Sequence, residues 1–434
     1  MKDGVQPVQS GFHTLSIAPK LLRIVEGLGF ETPTPIQHGA IPPAIEGRDI
    51  LGIAQTGTGK TLAFAVPLIQ RLSVTGRGLI IVPTRELALQ VDETFRKLGR
   101  TIGLKTVVLI GGGHMDTQLR TLRTYPHVII GTPGRINDHI ERKTLKLDAV
   151  SVLVLDEADL MLDMGFMPQI NRILETVPKI RQTMLFSATM PPAIGKLAAT
   201  YMTEPVRVEI ARSGSIPEMI EQEVRYVDAK GKTALLDALL KERHGSAIVF
   251  VRSKHGAKKL CTDLNHLTYT ATEIHSNRTL AQRRFALDGF KAGKKRVLVA
   301  TDIAARGIDV SSVALIVNYD LPENPEDYIH RIGRTGRAGL KGHAVSFATP
   351  AQRHLVYRIE RLMQAAIPVT GKVPFNIQER HGDVPPEKRP FRGRAKRTSY
   401  SQNYGFRKKF PGSRPGFGPK RFSPSRDHRR RLQK

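Results

Sequence analysis

DILGIAQTGTGKTLAFAVPLIQRL, residues 49–72, decides the fold. Residues 49–54 form an apolar, β-branched run suited to a buried strand, and residues 61–72 repeat apolar side chains at helical spacing. Between them lies AQTGTGKT (54–61), whose glycines let backbone N–H groups turn inward around a phosphate chain. Lys60 supplies a cation to terminal phosphates, Thr61 offers a hydroxyl to Mg²⁺, and the helix N-terminus adds its positive end. Ala54, Gln55, Thr56, Gly57, Thr58, Gly59, Lys60 and Thr61 are therefore the candidate phosphate-binding residues. The usual pattern has glycine where Ala54 stands, so the order strand, loop, helix carries the assignment. A tight turn with a surface lysine is the bland alternative.

The same theme continues in both directions. GLIIVP (78–83), KTVVLI (105–110), HVIIG (127–131), SVLVLDEA (151–158) and QTMLFSAT (182–189) each read as a strand followed by a polar loop. Apolar runs without strict alternation predict a parallel sheet covered on both faces, with ligands at the strand C-terminal ends. The chain turns polar from about Val208 to Pro217. A second α/β pattern then begins with EQEVRYV and includes SAIVFV (246–251), YTATEIH (269–275), RVLVATD (296–302), VALIVNYD (313–320) and GHAVSFA (342–348). The expected organisation is a first domain over 1–207, a linker over 208–217, a second domain over 218–367 and a tail over 368–434. Two like modules on a short linker make a cleft that can open and close.

Residues 371–434 hold 19 Lys or Arg against 4 Asp or Glu, so +15 of the +28 formal charge lies there. That segment is too poor in apolar residues to offset chain entropy and is expected to be disordered. Its interspersed Phe391, Tyr400, Tyr404, Phe406, Phe410, Phe417 and Phe422 suit base stacking while arginines meet phosphate; a merely solvating tail is the alternative. Such basicity points to nucleic acid, with ribosome surfaces and anionic lipid as rivals. No run approaches the roughly 20 apolar residues of a membrane span, and no secretory signal is expected from Met1–Ser10. The single cysteine, Cys261, rules out an internal disulfide and a cysteine-based zinc site. A cytoplasmic protein with no membrane partner is expected.

Two further motifs carry chemistry. DEAD, Asp156–Asp159, follows the apolar strand SVLVL. An acid at a strand's C-terminal end is placed to hold Mg²⁺, which falls to Asp156, and Glu157 is placed to take a proton from an attacking water. Capping of the next helix is the alternative. In HRIGRTGR (330–337), Arg331, Arg334 and Arg337 recur every three residues and are expected on nearly one helical face. Clustered cations of this kind can stabilise a transferring phosphoryl group, or simply bind nucleic acid.

With these motifs in order, residues 12–349 resemble the DEAD-box RNA helicases of superfamily two, and DEADLMLDMGF (156–166) resembles the bacterial RhlE-like group. The resemblance implies two tandem RecA-like α/β domains with parallel sheets plus the basic tail, ATP and Mg²⁺ as cofactors, and RNA-stimulated ATP hydrolysis coupled to unwinding of short duplexes or remodelling of RNA–protein particles. It assigns adenine recognition to Gln37 of GFETPTPIQ (29–37) and ring stacking to Phe12. It assigns RNA contact to Arg85 in PTREL (83–87), Gly112 in the run 111–113, Thr132 and Arg135 in TPGR (132–135), Arg252, and Thr301 in ATDIAARGID (300–309). Ser187 and Thr189 of SAT, together with Arg306 and His330, take coupling roles, Asp309 meets the ribose, and Arg334 and Arg337 act as fingers. Ribosomal precursor particles or the RNA-decay machinery are the implied partners. An RNA chaperone or clamp, and a DNA-directed helicase, are the rival functions. One departure stands out: in HSNRTLAQRR (275–284), Ser276 replaces a family glycine and Leu280 a glutamine, while Arg283 keeps the family arginine. The expected consequence is one lost polar contact near the RNA-facing surface.

Overall fold

The computed structural model of the chain describes residues 11–55, 57–72, 76–210, 220–305, 310, 313–336 and 341–371. Its strands are β1 (Ile50–Ile53), β2 (Arg77–Ile81), β3 (Thr106–Leu109), β4 (Val128–Gly131), β5 (Val150–Leu155), β6 (Gln182–Ser187), β7 (Val206–Glu209), β8 (Ile220–Tyr226), β9 (Ala247–Phe250), β10 (Ala271–Ile274), β11 (Val297–Ala300), β12 (Leu315–Asn318) and β13 (Gly342–Ala348). One sheet has the order β3-β4-β2-β5-β6-β1-β7 and the other β10-β11-β9-β12-β13-β8. Neighbouring strands in both sheets pair in parallel.

The continuous apolar runs follow from burial on both faces. Ile80, Val152, Val154, Met184 and Phe186 enter one core of the first sheet, whereas Leu79, Ile81, Leu153, Leu155 and Leu185 enter the core on the other face. The second sheet divides likewise, with Ile248, Phe250, Leu298 and Ile316 on one side and Val249, Val297, Val299 and Val317 on the other. Because the strands of each sheet run the same way, their C-terminal loops open on one edge. That edge receives the glycine loop, PTREL, the glycine run, TPGR, DEAD and SAT in the first sheet, and Arg252 and Thr301 in the second.

Two expected boundaries shift. Val208 and Glu209 belong to edge strand β7, which pairs with β1, and Ile210 N donates to Ile53 O at 2.9 Å. The expected linker therefore does not begin at Val208. An edge strand with alternating Arg207 and Glu209 lacks the apolar run that marked the other strands. At the other end, Val224 N donates to Pro368 O (2.8 Å) and Thr370 N to Val224 O (3.0 Å), so residues 368–370 add to the edge at β8 instead of starting the tail. Residues 211–217 of the linker and the tail from 372 onward lie outside the described residues.

Candidate functional site

The ends of β1, β6 and β5 are consecutive in the first sheet, and they carry the glycine loop, SAT and DEAD respectively. Ala54 N donates to Ser187 O at 2.9 Å, which sets the start of the loop against the end of β6. Gly57 and Gly59 adopt φ of +90° and +93°, left-handed values that let the backbone curl before the helix Lys60–Leu72 begins. Thr58 Oγ1 closes the turn on Gln55 O at 2.7 Å, and Thr61 is the second residue of the helix. A phosphate chain fits this concavity at a helix N-terminus. Thr56 lies outside the described residues.

Lys60 is 5% exposed, and its Nζ reaches Glu157 Oε1 at 3.0 Å and Ala54 O at 2.9 Å. Burial works against its ammonium, but the carboxylates of Glu157, Asp156 and Asp159 outweigh it and hold the pKa above its ordinary value. Asp156, 2% exposed, shows the opposite balance. Burial pushes its carboxyl up to about 7, and Lys60 offsets only part of the shift. Glu157 sits at φ 55° and ψ 52°, left-handed values rarely taken by a residue with a side chain, directly before the helix Ala158–Asp163. It has no side-chain cap bond to that helix, so the capping alternative does not describe it. Among the described residues no three His, Cys, Asp or Glu side chains form a metal cage. The buried Asp156 carboxylate, close enough to act on Lys60 of the phosphate loop, fits Mg²⁺ all the same, since that ion keeps several waters and leans on one or two carboxylates plus phosphate oxygens.

Asp159 ties this site to SAT. Its Oδ2 accepts from Ala188 N (3.1 Å), Thr189 N (2.8 Å) and Thr189 Oγ1 (2.9 Å), and its Oδ1 accepts from Leu160 N (3.0 Å). Asp159 N in turn donates to Ser187 Oγ at 3.2 Å. Ser187 and Thr189 are thus joined to the DEAD segment. Asp159 is the residue that joins them, and reading DEAD for metal and base chemistry alone passed over it.

Gln37, 3% exposed, accepts from Thr34 N at 2.9 Å and donates from Nε2 to Gly59 O at 3.1 Å. These bonds leave one N–H and one oxygen lone pair for a further partner. Phe12 departs from expectation. At 2% exposed it packs in the first-domain core and presents no open face for stacking in this structure. A large ring in the short turn Phe12–Thr14 gains more from that burial than from exposure beside the loop.

The loops after β2, β4 and β3 hold the expected RNA residues of the first domain. Arg85 opens the helix Arg85–Gly99, and its guanidinium lies against the glycine run: a Cβ on Gly112, at φ +78°, would fall 2.6 Å from Arg85 Nη1. Thr132 precedes the helix Pro133–Glu141, and Arg135 pairs with Asp138 at 3.4 Å. In the second domain Arg252 and Thr301 follow β9 and β11, on the same edge of that sheet. Arg252 is exposed, and its backbone N–H donates to Asp320 Oδ2 at 3.1 Å.

The arginine row needs correction. The helix Pro325–Ile332 ends before Arg334, so Arg331 and Arg334 do not share one helical face. Arg331 is 2% exposed and spent inside its own domain. It binds Asp302 through Nε (2.6 Å) and Nη2 (2.8 Å), and Asn318 Oδ1 (3.0 Å) and Asp320 O (2.6 Å) through Nη1. A guanidinium neutralised in this way awaits no phosphate. Arg334 is 4% exposed, and His330 lies in the last turn of the same helix. Arg306, Asp309 and Arg337 lie outside the described residues.

The departure at Leu280 also reads differently in three dimensions. Leu280 packs against the first-domain core, and Arg283 Nη2 meets Glu86 Oε2 of PTREL at 2.7 Å, with side chains 12% and 5% exposed. Leu280 thus makes an apolar contact between domains, next to the Arg283–Glu86 ion pair.

Residues 34–197 match the family model for DEAD/DEAH box helicases, and residues 231–339 match the helicase conserved C-terminal domain. The chain is 47% identical over 355 residues to the DEAD-box ATP-dependent RNA helicase CshA of Bacillus cereus, covering 81% of this chain and 67% of that one. It is 45% identical over 365 residues to the ATP-dependent rRNA helicase RRP3 of Eremothecium gossypii, covering 83% and 75%. Among solved structures, Saccharomyces cerevisiae Dbp5 bound to RNA and ADP BeF3 superposes with a TM-score of 0.76 at 30% identity, covering 83% of this chain and 95% of that one. Mss116p bound to ssRNA and AMP-PNP gives 0.77 at 28% identity, covering 86% and 81%.

Proposed function

This chain belongs to the DEAD-box family of ATP-dependent RNA helicases, and we propose that it separates short RNA duplexes through a phosphate site gripped from both of its domains. The observation that carries the reading is the buried Lys60–Glu157 pair, 3.0 Å apart, with Asp156 alongside in the same desolvated pocket. A terminal phosphate competes with Glu157 for Lys60, and the exchange releases the Glu157 carboxylate from the ammonium to orient a water. When bound, Mg²⁺ neutralises phosphate charge, and Asp156 and Thr61 would hold it, partly through water. Arg334 and Arg337 complete the pocket from the second domain as charge-stabilising fingers. Gln37, with its remaining donor and acceptor, reads the adenine edge.

Arg85, Gly112, Thr132 and Arg135 of the first domain, with Arg252 and Thr301 of the second, contact the RNA backbone, where cations and bare glycine backbone suit phosphate and sugar. The Asp159–SAT bonds link nucleotide state to that surface, and Arg306 and His330 act at the closure between domains, with Asp309 at the ribose. Residues 372–434 raise RNA affinity without choosing sequence. The DEADLMLDMGF segment supports placing the chain nearest the RhlE-like group. Likeness to an rRNA helicase and the strong positive charge support cytoplasmic work on ribosomal precursor particles, with RNA decay as the second setting.

RNA-stimulated ATPase measured beside strand-separation and annealing assays tests the proposal. Arg334→Ala is expected to cut RNA-stimulated hydrolysis by about 10³-fold while ATP binding persists. Equal hydrolysis with and without RNA, or an unaffected Arg334→Ala, would overturn it.

A further inference from the structure

Beneath the glycine run lies a buried polar link that the assigned roles do not use. Gln118, 6% exposed in the helix Met115–Leu122, donates from Nε2 to Ile110 O at 3.1 Å and faces His139 Nε2 through Oε1 at 3.3 Å. His139, 0% exposed, sits in the last turn of the helix Pro133–Glu141 that opens with the TPGR residues, and its Nδ1 meets Thr144 Oγ1 at 2.9 Å. Because Nε2 of Gln118 already donates to a carbonyl, its Oε1 must accept, which places a His139 proton on Nε2; the single Thr144 hydroxyl proton lies within reach of both His139 Nδ1 and His139 O (3.0 Å) and serves one of them at a time. A Cβ on Gly113 would lie 3.0 Å from Gln118 Nε2, so the amide also packs directly under the run.

We propose that Gln118 is a positioning residue for RNA binding, with His139 as its fixed support: together they hold the Gly111–Gly113 backbone at a set height above the TPGR helix. The proposal rests on the reading that Gly112, Arg85, Thr132 and Arg135 meet RNA. Three successive glycines have no side chains with which to anchor themselves, and Arg85 packs on them from the RNA-facing side. The bond to Ile110 O therefore fixes the loop from below. A buried amide and imidazole are costly unless every donor finds an acceptor, and once satisfied they admit a single geometry. An apolar pair could fill the same space without fixing any height.

The test is an RNA titration of ATPase activity on the full chain, using a mixed-sequence single-stranded oligonucleotide, with kcat and the RNA KM read separately. Gln118→Leu and His139→Leu should each raise the RNA KM about tenfold, with kcat at saturating RNA and RNA-free hydrolysis unchanged. His139→Gln, which retains a donor toward Gln118 Oε1, should restore KM to within about twofold, and the double leucine variant should be no worse than either single one by more than about twofold. Additive losses, or a wild-type KM in both leucine variants, overturn the proposal. If Gln118→Leu does not fold, the contrast between His139→Leu and His139→Gln decides alone, and equal KM for that pair overturns it. Arg85→Ala in the same assay separates the premise from the inference. An unchanged KM there removes the RNA-facing reading and the proposal with it, whereas a raised KM beside a normal Gln118→Leu removes only the positioning role.

Discussion

Replacing Asp159 with asparagine should loosen the connection between nucleotide site and SAT while leaving the phosphate loop intact. In the wild type one carboxylate oxygen takes three donors from Ala188 and Thr189, at 2.8 to 3.1 Å, and the other takes Leu160 N at 3.0 Å. An asparagine has one acceptor oxygen. Turned toward Ala188 and Thr189 it keeps three bonds but loses their charge assistance, about 1 kcal/mol for each. Its NH₂ then faces Leu160 N–H, an amide in the first helical turn with no acceptor inside the helix. The expected cost is about 3 to 4 kcal/mol. At roughly 2–4 °C per kcal/mol for a domain of this size, the first thermal transition should fall by about 6 to 16 °C. Differential scanning calorimetry of the full chain measures that shift. The functional counterpart is a ratio: duplexes separated per ATP hydrolysed should drop, while ATP affinity changes by less than about twofold because Asp159 acts on Lys60 through its charge alone, and less than Glu157 and Asp156 do. A melting point within 1 °C of wild type together with an unchanged ratio would show that these four bonds organise nothing.

Glu157→Gln should reduce hydrolysis by about 10²- to 10⁴-fold with ATP binding preserved, measured by single-turnover kinetics beside nucleotide titration. Since burial pushes the Asp156 carboxyl up to about 7 and Mg²⁺ needs the ionised form, the Mg²⁺ concentration for half-maximal ATPase should rise as pH falls through 7. A half-saturation that stays flat from pH 8 to 6 contradicts this. His139 is held below its ordinary 6.5 by burial first and Arg135 second. The unfolded chain then takes up the proton more readily, so stability is intact above pH 6.5 and declines as pH drops below it. His139→Gln should flatten that part of the urea-denaturation profile. Arg331→Met strands Asp302 and Asn318 and should destabilise the second domain by about 3–5 kcal/mol, visible as a separate early calorimetric transition; a single unshifted transition refutes it. Ending the chain after residue 371 removes the whole +15 of the basic segment and should lower RNA affinity and its salt dependence together.

Much of this was readable from sequence, for identifiable reasons. Strands covered on both faces show as continuous apolar runs, so each of the central strands was visible, and with them the edge where the motifs gather. That Lys60, Asp156 and Glu157 gather in one buried place was legible because both motifs follow the C-terminal ends of parallel strands. The misses share a cause. Edge strand β7 and the added residues 368–370 bury little, so their pairing leaves no apolar signature. Phe12 was judged by a family position, whereas its environment is set by packing that no local pattern reports. Asp159 and Gln118 act on backbone groups that sequence does not display.

Arg331 and Arg334 show where pattern gives way to context. The spacing of HRIGRTGR makes its arginines look equivalent, yet three residues separate one held by Asp302, Asn318 and the Asp320 carbonyl from one placed beyond the helix end. The difference follows from the helix length. Ending at Ile332 leaves Arg331 pointing into the sheet, where β12 delivers Asn318 and the loop after β11 delivers Asp302. Were the helix one turn longer, Arg334 would remain on the helix with Arg331, and both guanidiniums would compete for the same acceptors. The early stop places Arg334 past the helix that carries Arg331, which separates a structural arginine from the one proposed above as a phosphate finger.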